Sequence, residues 1–284
     1  MNLEDNISIL FLGDVIGRPG RRAIKRFLSE FAQKVDLVIA NAENAAHGFG
    51  TTESNLEELR QAGVQAFTGG NHTFDRKEIY EFIDRQQNVI RPANYPDGTP
   101  GRGFCLVEVA ADIQVGLINV LGRVFMEPLE SPFLVADEVL KKLKGQTNIV
   151  LVDVHAEATA EKMALGLYLD GRVSAVVGTH THVQTADERI LPAGTAYITD
   201  VGCCGPINSV IGMDKEAVFK RMIQQLPARF EVAAGPAMVN GVLLSINKKT
   251  GKATAIQRIR YLESDDDTEA ISEISTDLEL SKKA

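Results

Sequence analysis

The 284-residue sequence contains five histidines, and four of them follow short apolar runs. They are His72 in Gly69-Gly70-Asn71-His72, His155 in Val152-Asp153-Val154-His155, and the pair in Gly178-Thr179-His180-Thr181-His182. Two further runs end in oxygen donors, Asp14 after Gly13 and Glu43 with Asn44 in Asn41-Ala42-Glu43-Asn44. Imidazole combined with carboxylate and carboxamide, with no thiolate, suits Mn, Fe, Co or Zn in a working site rather than a structural zinc. One ion is saturated by roughly four to six ligands. Asp14, Glu43, Asn44, Asn71, His155, His180 and His182 exceed that number, so two ions are the more economical reading. Glu43 is the natural bridge because a carboxylate has two oxygens to share. In an extended segment residues i and i+2 face the same way, so His180 and His182 are expected to reach neighbouring ions.

Taken singly, each residue has an ordinary explanation. A histidine after a strand is commonly a hydrogen-bonded loop residue, Asp14 could cap a helix starting near Pro19, and Asn71 could sit in a turn. The coincidence of so many donors at strand ends carries the inference. His47, followed by Gly48 and Gly50, is read as a loop residue.

Donors this scattered need a fold that gathers them. Apolar runs over 7–12, 35–40, 149–154 and 173–177 lack regular alternation, which predicts strands covered on both faces. Helical periodicity over 19–33, 55–62, 136–143, 158–169 and 215–226 lies between them. Segments 104–110 and 113–120 flank Ala111-Asp112, and 241–247 and 253–261 flank a lysine-rich loop, so two antiparallel hairpins join the pattern. The expectation is an α/β fold with mixed pairing, in which the carboxyl ends of strands converge on one crevice.

Lys plus Arg is 30 and Asp plus Glu is 38, a net charge of −8. Residues 263–284 hold eight acids against Lys282 and Lys283, a charge of −6, which leaves −2 for the rest. We therefore expect a single domain over 1–262 and a flexible acidic tail over 263–284. A nearly neutral body argues against a stable nucleic-acid surface or an anionic-membrane surface. No apolar stretch approaches a membrane span of ~18 residues, and no secretory signal is evident, so a cytoplasmic location is expected. Cys105, Cys203 and Cys204 form neither a disulfide framework nor a zinc ribbon, and the adjacent pair reads as packing. The glycines at 13, 17 and 20 lack both P-loop and dinucleotide spacing, and no Gly-x-Ser-x-Gly elbow is present.

The motif order resembles the calcineurin-like metallophosphoesterase superfamily. It runs Gly13-Asp14, Glu43-Asn44, Gly70-Asn71-His72, His155, then Gly178-x-His180-x-His182, with Arg91-Pro92-Ala93-Asn94 as a further match. Within the superfamily the chain is similar to the YmdB-like bacterial branch, whose members hydrolyse phosphodiesters including 2′,3′-cyclic nucleotides. The resemblance implies an αββα sandwich of two mixed β-sheets flanked by helices. It also implies one ion held by Asp14, Glu43, Asn44 and His182, and a second by Glu43, Asn71, His155 and His180. Ile16 stands where the superfamily has a histidine, and Asn44 takes over as an oxygen donor. This oxygen-rich set points to Mn or Fe, divalent or mixed-valence, over Zn.

The expected chemistry is two-metal hydrolysis of a small phosphodiester by a bridging hydroxide, with His72 as general acid. Asn94 and Arg123 are candidate substrate contacts, each equally readable as a loop hydrogen-bonder or a surface ion. A phosphomonoesterase on the same site, or a regulatory metal- and nucleotide-binding protein with weak catalysis, remain as alternatives. Homo-oligomerisation is left open.

Overall fold

The computed structural model describes residues 5–31, 35–263 and 271–273. Its first sheet contains β1 (Asn6–Leu12), β3 (Leu37–Asn41), β4 (Ala66–Thr68), β12 (Ala237–Asn247), β13 (Ala253–Leu262) and β14 (Ile271–Glu273), in the order β14-β13-β12-β1-β3-β4. Strands β1, β3 and β4 are parallel, whereas β12 and β13 run antiparallel beside β1. The two-residue β2 (Asp14–Val15) attaches through β11 (Cys203–Pro206), which also pairs with β12. The second sheet orders β5 (Phe104–Ala110), β6 (Ile113–Leu121), β7 (Ile149–His155), β8 (Ala175–Thr179), β10 (Ala196–Ile198) and β9 (Arg189–Ile190). Strands β6, β7, β8 and β10 are parallel, and both edges are antiparallel.

The missing alternation in the apolar runs has a packing cause. In β1, Ile7, Ile9 and Phe11 point into the core between the sheets, while Leu10 and Leu12 point to the opposite face. There they join the cluster that α1 (Gly17–Phe31), α2 (Glu53–Ala62) and the short α3 (Ile79–Phe82) supply through Ile24, Phe27, Leu56, Leu59 and Phe82. In β7, Ile149 and Leu151 join the central core, and Val150, Val152 and Val154 pack on α4 (Pro132–Leu143) and α5 (Thr159–Tyr168). Three apolar layers thus separate four structural layers, giving helices, sheet, sheet, helices. Both faces of each central strand are buried, so both are predominantly apolar, with Asn119 in β6 and Asp153 in β7 as buried polar exceptions.

Both predicted hairpins form, as β5–β6 and β12–β13. The strand expected over 35–40 begins at Leu37 because the Asp36 carboxylate accepts hydrogen bonds from Ser8 N at 2.7 Å and Ser8 Oγ at 3.0 Å. That carboxylate occupies the bonding position that would extend the ladder. The short β4, β10 and β11 escape sequence reading, since three or four residues carry too little periodicity. Cys203 and Cys204 are buried and unbridged in β11.

Glu263 belongs to the folded body: it is buried, accepts from Ala237 N at 2.9 Å and ion-pairs Arg22 at 2.6 Å. Residues 271–273 add β14 to the sheet edge. The remainder of the expected acidic tail, 264–270 and 274–284, lies outside the described residues. Among the described residues no helix is long and apolar enough to cross a membrane.

Candidate metal centre

Parallel strands deliver their carboxyl ends to one rim, and loops from both sheets meet there. Asp14 lies on β2 just past β1, Glu43 and Asn44 follow β3, and Asn71 follows β4. His155 closes β7, and His180 and His182 follow β8. Asp14, Glu43 and His155 are essentially inaccessible to solvent.

Around the His155 Nε2 atom stand Asn71 Oδ1 at 2.9 Å, His180 Nδ1 at 3.1 Å and Glu43 Oε1 at 3.2 Å. One ring nitrogen has a single lone pair or a single hydrogen, so it cannot bond to three such groups at once. Donor atoms of Glu43, His155 and His180 all lie within 4.8 Å of one another. The second grouping is looser. Asn44 Nδ2 lies 3.0 Å from Glu43 Oε1 and 3.3 Å from His182 Nε2, and Asp14 Oδ1 is 3.9 Å from His182 Nε2. Glu43 is common to both groupings. Asp14 Oδ1 and Asn44 Oδ1 are buried and accept no hydrogen bond. Such orphans are costly unless something positive meets them. The donor set therefore fits two cations that share Glu43.

The ring tautomers suit ligation. Thr179 Oγ1 donates to Asp153 Oδ1 at 2.7 Å, so it must accept from His155 Nδ1 at 2.9 Å, which makes His155 Nε2 the ring atom that faces the site and takes up either a proton or a metal. His182 Nδ1 lies 2.9 Å from Ile211 O, which can only accept, so Nδ1 carries a hydrogen and Nε2 is the ring atom left to ligate. Burial, with the His155 charge nearby, pushes His180 down to about 3 and keeps it neutral. Burial raises Asp14, against the pull of His182 and His155. Burial also opposes the charge on Glu43, but His155 and His72 outweigh it and hold the carboxyl at about 2. Burial would lower His155, yet Glu43 and Asp14 raise it to about 9. The field that retains a proton there is one that attracts a metal cation. Gly70 is required at the centre, because a Cβ there would come within 2.2 Å of Glu43 Oε2 and 2.4 Å of His155 Nε2.

The expectation of an extended His180-x-His182 segment is corrected. Strand β8 stops at Thr179, and both histidines adopt positive φ, 98° and 64°. A buried carboxylate holds this turn. Asp200 Oδ2 accepts from Thr181 N at 3.1 Å, Thr181 Oγ1 at 2.7 Å and Lys162 Nζ at 2.7 Å, while Oδ1 accepts from Gly202 N at 2.8 Å. Lys162 and Asp200 are both buried. Removing one partner of such a pair leaves an uncompensated charge and costs about 3–5 kcal/mol. Lys162→Ala is therefore expected to lower the free energy of urea unfolding by about that amount; a loss below ~1 kcal/mol, the scale of an exposed pair, would contradict this.

His72 takes no place among the converging donor atoms. Its Nδ1 lies 2.8 Å from Asp75 Oδ2, its backbone N donates to Glu43 Oε2 at 2.9 Å, and its ring stands edge-on to Phe49. The ring lines a cavity of about 380 Å³ together with Glu43, Asn44, His180 and His182.

The two candidate substrate contacts fare differently. Asn94 is buried and its carboxamide is engaged by main chain, donating to Leu121 O at 2.8 Å and Glu130 O at 3.0 Å and accepting from Leu121 N at 2.8 Å. It pins the end of β6 and does not line the cavity, so its reading as a substrate contact is replaced by that bracing role. Arg123 is exposed two residues beyond Leu121, the register partner of His155, and its guanidinium has no partner among the described residues.

Sequence reading missed Asp75, Asp153, Glu157, Lys162 and Asp200. Asp153 and Asp200 carried a usable signal, an acid inside or just after an apolar run. Burial pushes the Asp153 carboxyl up to about 7. Glu157 Oε2 lies 3.1 Å from His180 Nε2 at the cavity wall.

A profile of YmdB-like proteins matches residues 10–259. The 2′,3′-cyclic-nucleotide 2′-phosphodiesterase of Bacillus subtilis (strain 168) is 52% identical over 253 residues, covering 88% of this chain and 96% of that protein. A crystal structure of a hypothetical protein from Thermus thermophilus superposes with a TM-score of 0.86 at 44% identity, covering 91% of this chain and 100% of that one. A crystal structure of a novel phosphatase from Mycoplasma pneumoniae gives the same TM-score of 0.86 at 38% identity, covering 92% and 95%. With sequence and fold in agreement over most of its length, this chain belongs to the YmdB-like protein family.

Proposed function

We propose that the protein is a metal-dependent phosphoric-ester hydrolase whose substrate is a 2′,3′-cyclic nucleotide. The observation that carries this reading is the convergence of seven donor residues beside a histidine that is not one of them. The name of the Bacillus subtilis relative supports the substrate.

Asp14, Glu43, Asn44 and His182 would hold one cation, and Glu43, Asn71, His155 and His180 the other, with Mn or Fe favoured by the oxygen-rich donors. Cations bound there supply Lewis acidity, neutralising charge on the phosphoryl oxygens and making water a competent nucleophile near neutral pH. The chain's own residues do the rest. As water adds to phosphorus, the P–O2′ bond breaks and O2′ takes a proton from His72, leaving a nucleoside 3′-phosphate. Asp75 accepts from His72 Nδ1, which leaves the opposite nitrogen of this cavity-lining ring as the one to deliver the proton. Solvent then returns the proton to the ring. Arg123 is a candidate contact for the substrate's phosphate, as a free guanidinium near the end of β6.

The Mycoplasma pneumoniae phosphatase favours a second reading, hydrolysis of phosphomonoesters on the same groups. The test is turnover of adenosine 2′,3′-cyclic phosphate against 3′-AMP and p-nitrophenyl phosphate with Mn²⁺. Conversion of the cyclic ester to 3′-AMP that then accumulates, abolished by chelator, is expected. Faster hydrolysis of the monoesters would replace the first reading by the second.

A further inference from the structure

Next to the metal-centre cavity lies a larger one, about 800 Å³, and the two share Phe49 and Phe230 in their walls. Its lining carries Arg18, Arg76 and Arg229, with His47 and one acid, Glu231. No carboxylate among the described residues ion-pairs with any of the three arginines, whereas Arg21, Arg22 and Arg60 nearby in the chain are paired with Glu58, Glu263 and Glu57. Even counting Glu231 against them, the cavity is cationic in a body that is close to neutral.

Arg76 is built in rather than loosely placed. Its Nε donates to Phe49 O and its Nη2 to Ala46 O, both at 3.1 Å. The backbone at Gly50, φ 73°, comes so close that a Cβ would meet Arg76 Cγ at 2.5 Å. A guanidinium fixed by two carbonyls keeps N–H groups to offer and loses little freedom on meeting an anion. Phosphate is the anion that several forked guanidiniums match best. Phe49, edge-on to His72, and Phe230, whose ring has the Arg221 guanidinium over it at 5.0 Å, line both cavities and give their junction apolar surface against which a ribose or base can rest.

We propose that this arginine cavity is a second phosphate subsite, taking the 5′-phosphoryl group of a nucleotide whose 2′,3′-cyclic end lies at the metal centre. The inference rests on the phosphodiesterase reading above and narrows its substrate. That 5′-phosphoryl group is either a terminal monoester or the next phosphodiester of a short RNA end. Its contacts are remote from the reacting phosphorus, so they act on substrate capture.

The experiment compares kcat/KM for adenosine 2′,3′-cyclic phosphate, its 5′-phosphorylated form and the dinucleotide ending in the same cyclic phosphate. Wild type, Arg18→Ala, Arg229→Ala and Arg229→Lys are compared with Mn²⁺ present. At least one 5′-phosphorylated substrate is expected to exceed the simple one tenfold or more, chiefly through KM. In the alanine variants that ratio falls toward one, and Arg229→Lys retains part of it. Preference for the dinucleotide identifies an RNA end, and preference for the monoester identifies a mononucleotide. A wild-type ratio near one, or variants that slow all substrates in proportion, overturns the subsite. Binding of 5′-AMP measured by calorimetry needs no turnover, and Arg229→Ala is expected to weaken it at least tenfold. Unchanged binding overturns the subsite. Failure of wild type to hydrolyse any of the three esters, with 5′-AMP binding still sensitive to Arg229, counts against the phosphodiesterase reading alone.

Discussion

Glu43→Gln is expected to reduce bound metal from two ions per chain to at most one and to lower kcat/KM by about 10³-fold or more. Even partners behind the ligands change metal affinity by about 10–100-fold. Glu43 is the residue that both donor groupings share, through Oε1 near His155 and Asn44. The amide keeps the shape and removes the charge. Metal analysis after purification without chelator, paired with steady-state assay, checks both halves. Two tightly held ions in the variant would refute the bridging role.

The same substitution has a readout that needs no metal. In the metal-free protein His155 is raised from 6.5 to about 9, against the effect of burial, chiefly by Glu43. A group raised in the folded state adds stability that is complete below its unfolded value. That contribution disappears as pH climbs from 6.5 to about 9. Unfolding free energies of the metal-free protein are therefore expected to fall over that interval, and less steeply in Glu43→Gln. An unaltered slope would mean that other groups set the pH dependence.

The second large effect belongs to His72→Ala: both metals stay bound, and kcat drops by about 10²–10⁴-fold, the range of a single general acid. The separation follows from the geometry, since the ring bonds to Asp75 and lines the cavity without joining the converging donor atoms. A substrate whose leaving group needs no proton, such as a p-nitrophenyl diester, should lose far less. Near wild-type kcat on the cyclic ester with full metal content would show that another group supplies the proton. Asp75→Asn should fall between the two, as it loosens the ring without removing it.

The positions of these residues were readable because strands in a doubly covered sheet announce themselves twice. The run through Ile9, Leu10, Phe11 and Leu12 is apolar on both faces, and it ends where Asp14 begins. The same rule located His155 at the end of β7 and His180 after β8, and it depends only on local composition. Asp200 obeys it too, following Ala196-Tyr197-Ile198, but a three-residue strand is shorter than the pattern needed to see it.

Other features have no local signature. The positive φ of His180 and His182 arises from Asp200 and Lys162, which reach that turn from β10 and α5. Asn94 resembled a ligand-binding amide until its bonds to Leu121 and Glu130 accounted for it. His47, an ordinary loop residue in sequence, lines the arginine cavity with side chains distant in the chain, such as Arg229, 182 positions on.

The amino-acid order alone thus indicated the longer strands and helices, their mixed pairing and the polar donors that follow several of them, because periodicity and residue chemistry are properties of short segments. Which donor faces which, which tautomer each ring adopts, which amide is already occupied and where unpaired arginines gather were decided by tertiary structure. Those are relations between segments far apart in the chain, fixed only when two sheets pack face to face and bring their strand ends to a common rim.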